Sequence, residues 1–282
     1  MKDVEYDVIY SHLPDWPQVG RYKNNIDTKI IGYCHWWESK TANGVDRRPG
    51  KAKWLWLPIE LLGVSQMDTC YVNTQDQKSR ILEQAKDIFN NEFVKKLDDI
   101  LTVWNLGLPN KLIVDKPSSE KRNIIVFNHR AAAYKGYPRF IELMREYRKR
   151  RDDFTVWVPQ LTGKSPETWI DNSKSPKHEY YQRLQQCKVG VQMRQTNYGW
   201  SVSGTDCMMN GTPMIWQESD CYKEIDPNGM FFKMKTEFFD YLDKMLDDDI
   251  FRFAQEFRSI ERAKELSDNE AKMIVKLNQK LK

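Results

Sequence analysis

The sequence predicts an α/β protein of two successive units, a short first one and a doubly wound second one, and three observations carry that prediction. Short apolar runs alternate with longer helical patterns, as in βαβ units laid on a parallel sheet. The stretch 106–119 gathers Gly107, Pro109, Pro117 and two serines, the composition of a linker. The length of 282 residues is long for one compact α/β unit and sufficient for two. The expected organisation is a reduced first unit over residues 1–110, a second unit over 120–265 and a C-terminal helix over 266–282.

In the first half the strand-like runs are 6–10, 29–34 and 68–73, and an amphipathic helix over 75–88 follows the third. A complete nucleotide-binding unit opens with a strand and a glycine-rich turn, whereas this chain starts on what resembles a later strand. The first unit is therefore expected to be either reduced or truncated. Beyond the linker, apolar strands at 124–127, 154–158, 189–193, 213–216 and 230–232 alternate with helices at 136–150, 176–186 and 203–209 and a short one around Tyr222. Charged helices fill 236–282, and the acidic run Asp247 to Asp249 reads as a loop or helix start.

Composition narrows the classes. Hydrophobic residues at 40% and charged residues at 30% are those of a globular chain with real cores, which excludes extended disorder. No apolar stretch reaches the roughly 20 residues of a membrane span, and the start lacks the basic-then-apolar order of a secretory signal, so a cytoplasmic location is expected. The five cysteines, Cys34, Cys70, Cys187, Cys207 and Cys221, are scattered and never in CxxC spacing. With only four histidines, none in ligand spacing, neither a disulfide framework nor a protein-built metal centre is expected. A net charge of +4 permits an anionic ligand without requiring one.

Three segments carry candidate chemistry. In NYGWSVSGTDCMMNGTPMI, Ser201 or Ser203 can cap a helix whose free N–H groups would face a phosphate or sugar, and Asp206 on that helix can accept hydrogen bonds from a ribose diol. Gly211-Thr212-Pro213 ends the helix and starts the next strand, although that punctuation is common in α/β proteins. In FNHRAAAYKG, Arg130 and Lys135 sit past the C-terminal end of an apolar strand, where open α/β sheets bind ligands, and two cations there can neutralise a diphosphate. The alternative is a pair of solvated basic residues in a loop. In IIGYCHWWE, His35 follows a first-unit strand; it is either structural or close to a substrate.

The first two segments together resemble the donor signature of retaining glycosyltransferases of the GT-B type, in particular glycosyltransferase group 1, also called family 4. That resemblance implies two Rossmann-like lobes with a cleft between them, the first lobe reduced here, and a nucleotide diphosphate sugar held by the second. It implies that Arg130 and Lys135 stabilise the leaving diphosphate, that Tyr198, Gly199, Ser201, Ser203, Gly204, Thr205 and Asp206 line the donor, and that His35 lies near the transferred sugar. No cofactor is implied beyond the donor, and no metal. The family places two acidic residues eight positions apart; Asp206 takes the second place, but Tyr198 takes the first and has no carboxylate.

Acceptor residues are weaker. Trp36, Trp37, Trp54 and Trp56 interleave with Lys40, Arg47, Arg48, Lys51 and Lys53; aromatic faces stack on sugars or bases while cations follow phosphates, although such tryptophans more commonly form core. Trp36, Trp37, Arg47 and Arg48 are the acceptor candidates. The partners implied are a nucleotide-sugar donor and an acceptor that is either a glycan or DNA. Phage DNA glucosyltransferases, which modify a hydroxymethylated base, share the architecture and supply the DNA analogy. The basic run REYRKRR at 145–151 reads as a solvated helix face or as steering for an anionic partner. Two rivals stay open: a non-catalytic nucleic-acid-binding protein on a degenerate transferase scaffold, and a nucleotide-sugar epimerase.

Overall fold

The computed structural model describes residues 6–12, 14, 27–34, 36–37, 53–163, 165, 167–195 and 198–281. The chain forms two compact units, Met1–Asn105 with Asn197–Trp200, and Leu106–Thr196 with Ser201–Lys282. The boundary falls where the Pro- and Gly-bearing stretch begins, yet that stretch is not a free linker. Leu108 is buried, a 3-10 turn spans Asn110–Leu112, and the Val114 amide donates to Met209 O at 2.9 Å, all within the second unit.

The first unit contains β1 (Val8–Ser11), β2 (Lys29–Cys34), β3 (Trp36–Trp37), α1 (Lys53–Val64), β4 (Thr69–Val72), α2 (Gln75–Lys86), α3 (Asn91–Ile100) and β5 (Leu101–Val103). Its main sheet has the order β1-β2-β4-β5 and is parallel throughout. Every residue of β4 is buried, as expected for a strand covered on both faces. Ile30, Leu61, Val64, Cys70, Val72, Ile81 and Leu97 form its core. Thr74 and Asn90 cap α2 and α3 by accepting from Gln77 N at 3.1 Å and Phe93 N at 3.0 Å. Three elements have little sequence signature. α1 carries Pro58 in its interior, β5 is only three residues long, and α3 meets β5 without a turn residue between them.

The second unit runs β6 (Arg122–Val126), α4 (Tyr137–Arg148), β7 (Thr155–Trp157), β8 (Ile170–Asp171), α5 (Lys177–Gln186) and β9 (Cys187–Gln192). β10 (Tyr198–Gly199) then belongs to the first unit, where it pairs antiparallel with β3. The second unit resumes with α6 (Val202–Met209), β11 (Met214–Gln217), α7 (Asp220–Ile225), β12 (Met230–Phe232), α8 (Lys235–Asp247) and α9 (Asp249–Leu281). Its sheet has the order β12-β11-β9-β6-β7-β8, again all parallel. The chain goes from β6 outward to β7 and β8, then comes back to the other side of β6 with β9, β11 and β12. The order therefore reverses between β6 and β9.

One expectation is corrected here and another is given detail. The separate C-terminal helix expected over 266–282 is the latter part of one 33-residue helix that starts at Asp249. The basic run 145–151 lies on a solvated face, with Arg145, Lys149 and Arg150 exposed, and part of its charge is paired. Arg145 pairs with Glu167 at 2.9 Å, Arg148 donates to Phe154 O at 3.0 Å, and Arg151 bonds Asp153 at 2.7 Å and Asp247 at 2.6 Å. Among the described residues no helix is long and apolar enough to cross a membrane.

One buried charge fastens α9 to the sheet. The Lys121 side chain is 3% exposed and donates to Gly211 O at 2.8 Å and Cys187 O at 3.0 Å, and it lies 3.6 Å from the buried carboxylate of Glu256 on α9. Arg252 supplies Glu256 with a second cation at 3.2 Å. Removing one partner of such a group strands the other without solvent. Lys121→Met is expected to destabilise the protein by about 3 kcal/mol, measured by chemical denaturation, whereas a surface control such as Arg139→Met should change stability by less than about 0.5 kcal/mol.

Candidate functional site

Open α/β sheets bind ligands beyond the carboxyl ends of their strands, at the point where strand order reverses. Here that point is the exit of β6, residues 127–136, against the exit of β9, residues 193–195. A tight backbone contact joins them. Gly136 has φ +76, and a Cβ placed there would lie 2.5 Å from Met193 Cβ, so both the left-handed conformation and the space require glycine. Gly136 closes the 3-10 turn Ala133–Lys135 and serves as N-cap residue of α4, which sets Lys135 beside the β9 exit. Lys135 Nζ donates to Gln195 Oε1 at 2.6 Å, and Arg130 is exposed on the same turn.

Below these cations lies a buried polar layer. Gln192, the last residue of β9, gives its amide hydrogens to Met193 O at 2.7 Å and Tyr222 OH at 3.0 Å, and its carbonyl accepts from the Ser201 hydroxyl. Tyr222 on α7 in turn donates to Met193 O at 3.1 Å and accepts from Gln195 N at 3.3 Å. Ser201 caps α6 by accepting from Gly204 N at 3.1 Å. His129 is buried beside this layer. Burial first, and then Lys135, pushes its imidazole down to about 3, so the ring is uncharged at physiological pH.

A second group of residues surrounds Asp206 on α6. Tyr180 OH, from α5, donates to Asp206 Oδ2 at 3.3 Å, and Asn128 Nδ2 donates to Tyr180 OH at 2.8 Å and to Ser203 O at 2.7 Å. Burial pushes the Asp206 carboxyl up to about 6, against the opposing pull of the Tyr180 hydrogen bond and the Lys177 charge. Burial also raises the Tyr180 hydroxyl, which remains a hydrogen-bond donor.

The structure sorts the sequence candidates. Arg130, Lys135 and the Asp206 helix come together at the reversal point. Ser201 and Thr205 are buried with their hydroxyls committed inside the protein, Thr205 to Val202 O at 3.0 Å, so they shape the helix start rather than present hydrogen bonds to a ligand. Gly204 is packed as well, since a Cβ there would meet Trp216 at 2.4 Å. Ser203 is half-buried. Tyr198 and Gly199 form β10 in the first unit, opposite Trp37 and Trp36 respectively. His35, Arg47 and Arg48 lie outside the described residues. Asn128, Tyr180, Gln192, Gln195 and Tyr222 were not among the sequence candidates. The one sequence sign of them is that the apolar run of β9 ends in two glutamines three positions apart, Gln192 and Gln195.

A shallow depression of about 550 Å³ lined by Arg150, Arg151, Asp153, Asp240 and Asp243 lies elsewhere in the second unit. It is at the amino end of β7, the opposite edge of the sheet from Lys135, and Arg151 is already neutralised there by Asp153 and Asp247.

No protein-family model and no curated protein sequence matches the chain. Solved structures do match it. Sucrose-phosphate synthase from Thermosynechococcus elongatus superposes with a TM-score of 0.73 at 14% identity, covering 98% of this chain and 74% of that one. TarM gives 0.72 at 13% identity, with 96% and 54% covered. HepE from Anabaena, in complex with UDP and glucose, gives 0.70 at 12% identity, with 96% and 78% covered. The fold is GT-B. The chain spans about half the length of TarM and about three quarters of the other two. At such identities the likeness establishes the architecture, and the chemistry has to be argued from the side chains.

Asp206 allows a direct check of the site's electrostatics. Its raised folded-state value means that the stability it contributes is present below the unfolded carboxyl value of about 4 and is lost as pH rises through about 6. Asp206→Asn is therefore expected to be more stable than the parent at pH 7.5 by about 1–3 kcal/mol, a rise in Tm of roughly 2–8 °C. The advantage should vanish near pH 4. His129 titrates identically in both proteins and cancels. Equal differences at the two pH values in thermal melts would show that Asp206 is not held in an environment that disfavours its charge.

Proposed function

We propose that the protein is a glycosyltransferase that binds a nucleotide diphosphate sugar at the reversal point of the second sheet and transfers the sugar to an acceptor hydroxyl with retention of configuration. The observation that carries this reading is the convergence of an oriented ammonium, Lys135, an exposed guanidinium, Arg130, and the start of α6 at that point. Its physical logic is electrostatic. As the bond between the anomeric carbon and the diphosphate oxygen breaks, the electron pair leaves with the diphosphate, and fixed cations stabilise the new charge without reorganising. The N-terminus of α6 adds unpaired N–H groups and a partial positive charge. Asp206, ionised above pH 6, accepts from the ribose diol. The incoming hydroxyl gives its proton to the departing diphosphate side. No metal is needed for this scheme, because the two cations neutralise the leaving group.

The acceptor is assigned to the first unit, where Trp36 and Trp37 form β3 against Tyr198 and Gly199. A glycan hydroxyl is favoured over a base in DNA. The related folds include HepE with UDP and glucose, and a TarM complex with UDP, alpha-GlcNAc-glycerol and fondaparinux. The dense basic run at 145–151 is also partly consumed in internal pairs, which weakens the case for a phosphate-backbone contact there.

A thermal-shift screen of nucleoside diphosphates and their sugars tests donor binding, since a ligand of the folded state raises Tm by linkage. Slow donor hydrolysis without acceptor separates a transferase from a binding scaffold, and product analysis with and without acceptor separates it from an epimerase. Lys135→Ala and Arg130→Ala are each expected to lower turnover by at least about 100-fold. Unchanged turnover in both removes the assigned role.

A further inference from the structure

Three sulfur atoms converge in the core of the first unit. Cys34, the last residue of β2, and Cys70 on the neighbouring β4 are buried free thiols whose Sγ atoms lie 3.6 Å apart. The third sulfur is the thioether of Met67, also buried, in the turn between α1 and β4. A glycine gives it room. Gly32 stands opposite Cys70 in the strand register, and a Cβ on Gly32 would lie 2.0 Å from Met67 Sδ and 3.1 Å from Cys70 Sγ. Glycine weakens a strand interior and marks the close approach of another group. Any side chain on residue 32 would push the thioether away from the thiols.

The donor set decides what such a group can hold. Zinc in a closed structural site takes four ligands, and among the described residues no three His, Cys, Asp or Glu side chains gather to hold a metal. Two thiols and one thioether are instead a soft set of low coordination number, which selects monovalent copper. A three-coordinate ion with metal–sulfur bonds of about 2.3 Å spaces its sulfurs about 4 Å apart. The two thiols are already close to that spacing. In the sequence Met67 and Cys70 have the spacing of a CxxC pair with a thioether in the first place, and only the pairing of β2 with β4 adds Cys34. Packing alone accounts for buried cysteines taken singly; it does not call for three sulfurs around one point with a glycine clearing the space.

We propose that Cys34, Met67 and Cys70 form a binding site for one monovalent copper ion in the first unit, a site that does not depend on the function proposed above. On binding, the ion bonds to the two Sγ atoms and to Met67 Sδ, each ligating thiol releases its proton to solvent, and no electron is transferred. Because all three ligands are buried, the ion enters through local opening of the unit, and loading is slow.

The test titrates the full chain, without oxygen and with ascorbate as reductant, against monovalent copper presented as its bicinchoninate complex, each point being held until the reading is constant. The parent is expected to take one ion per chain, to show three sulfur neighbours at about 2.3 Å in X-ray absorption, and to melt at a higher temperature when loaded. Cys34→Ser and Cys70→Ser should each lower the affinity at least about tenfold. Met67→Leu, which conserves core volume and so keeps the fold, should also weaken binding and leave two sulfur neighbours. Replacing the second unit's Cys187, Cys207 and Cys221 together by alanine should leave one ion bound. Melting curves identify any variant that fails to fold, and Met67→Leu decides the question if a serine variant does not. Uptake that survives unchanged in folded Cys34→Ser and Cys70→Ser, or that disappears from a folded second-unit variant, overturns the inference. So does a parent that takes no ion from bicinchoninate, whether folded or refolded with the ion present. A Met67→Leu variant that binds and absorbs like the parent overturns the three-sulfur assignment.

Discussion

The second unit is organised around a close backbone approach, with Gly136 against Met193, that only a glycine in a left-handed conformation can make. Because β6 and β9 are neighbours from which the chain departs in opposite directions, their exits open away from each other and leave a crevice. Gly136 lets the β6 exit turn into α4 while touching the β9 exit, and so holds Lys135 within reach of Gln195. A larger residue there would push the turn off β9 and carry the ammonium with it. The cationic site therefore depends on a contact in which no charge takes part.

Around that contact the protein separates charge from neutral polarity. Arg130 stays in water on the exposed turn, where its charge is inexpensive to maintain. The layer beneath is built from amides, hydroxyls and a deprotonated imidazole: Gln192, Gln195, Ser201, Tyr222 and His129. Neutral groups can be buried when they are hydrogen-bonded, whereas an unpaired ion cannot. Asp206 stands between the two regimes, half-buried beside Tyr180 and raised to about 6, so that near neutral pH it is charged at some energetic cost. Where a charge is fully buried, as Lys121 is, it has a carboxylate and two carbonyls around it and serves to anchor α9.

Much of this was legible in the residues. Strands such as Lys29–Cys34 and Met230–Phe232 coincide with the apolar runs because a strand covered on both faces is apolar along most of its length. Lys135 with Gly136 and Asp206 before Gly211-Thr212-Pro213 also stood out, since turn chemistry and helix punctuation are local. α1 did not, because Pro58 interrupts its pattern, and β8 and β10, two residues each, are strands only by virtue of their neighbours. The roles given to Ser201, Gly204 and Thr205 as ligand contacts came from the resemblance of a short segment; whether a hydroxyl faces a ligand or its own helix depends on what packs against it, here Gln192 and Trp216.

By itself the sequence determined the α/β class, the parallel strands and the positions of the cations and the acidic residue, because periodicity, turn residues and charge are properties of short stretches. Only the tertiary structure decided which strands neighbour one another, that Lys135 meets Gln195 sixty residues away, and which buried polar atoms are left without partners. Those outcomes depend on hydrogen bonds and desolvation between segments far apart in the chain, which no local pattern encodes.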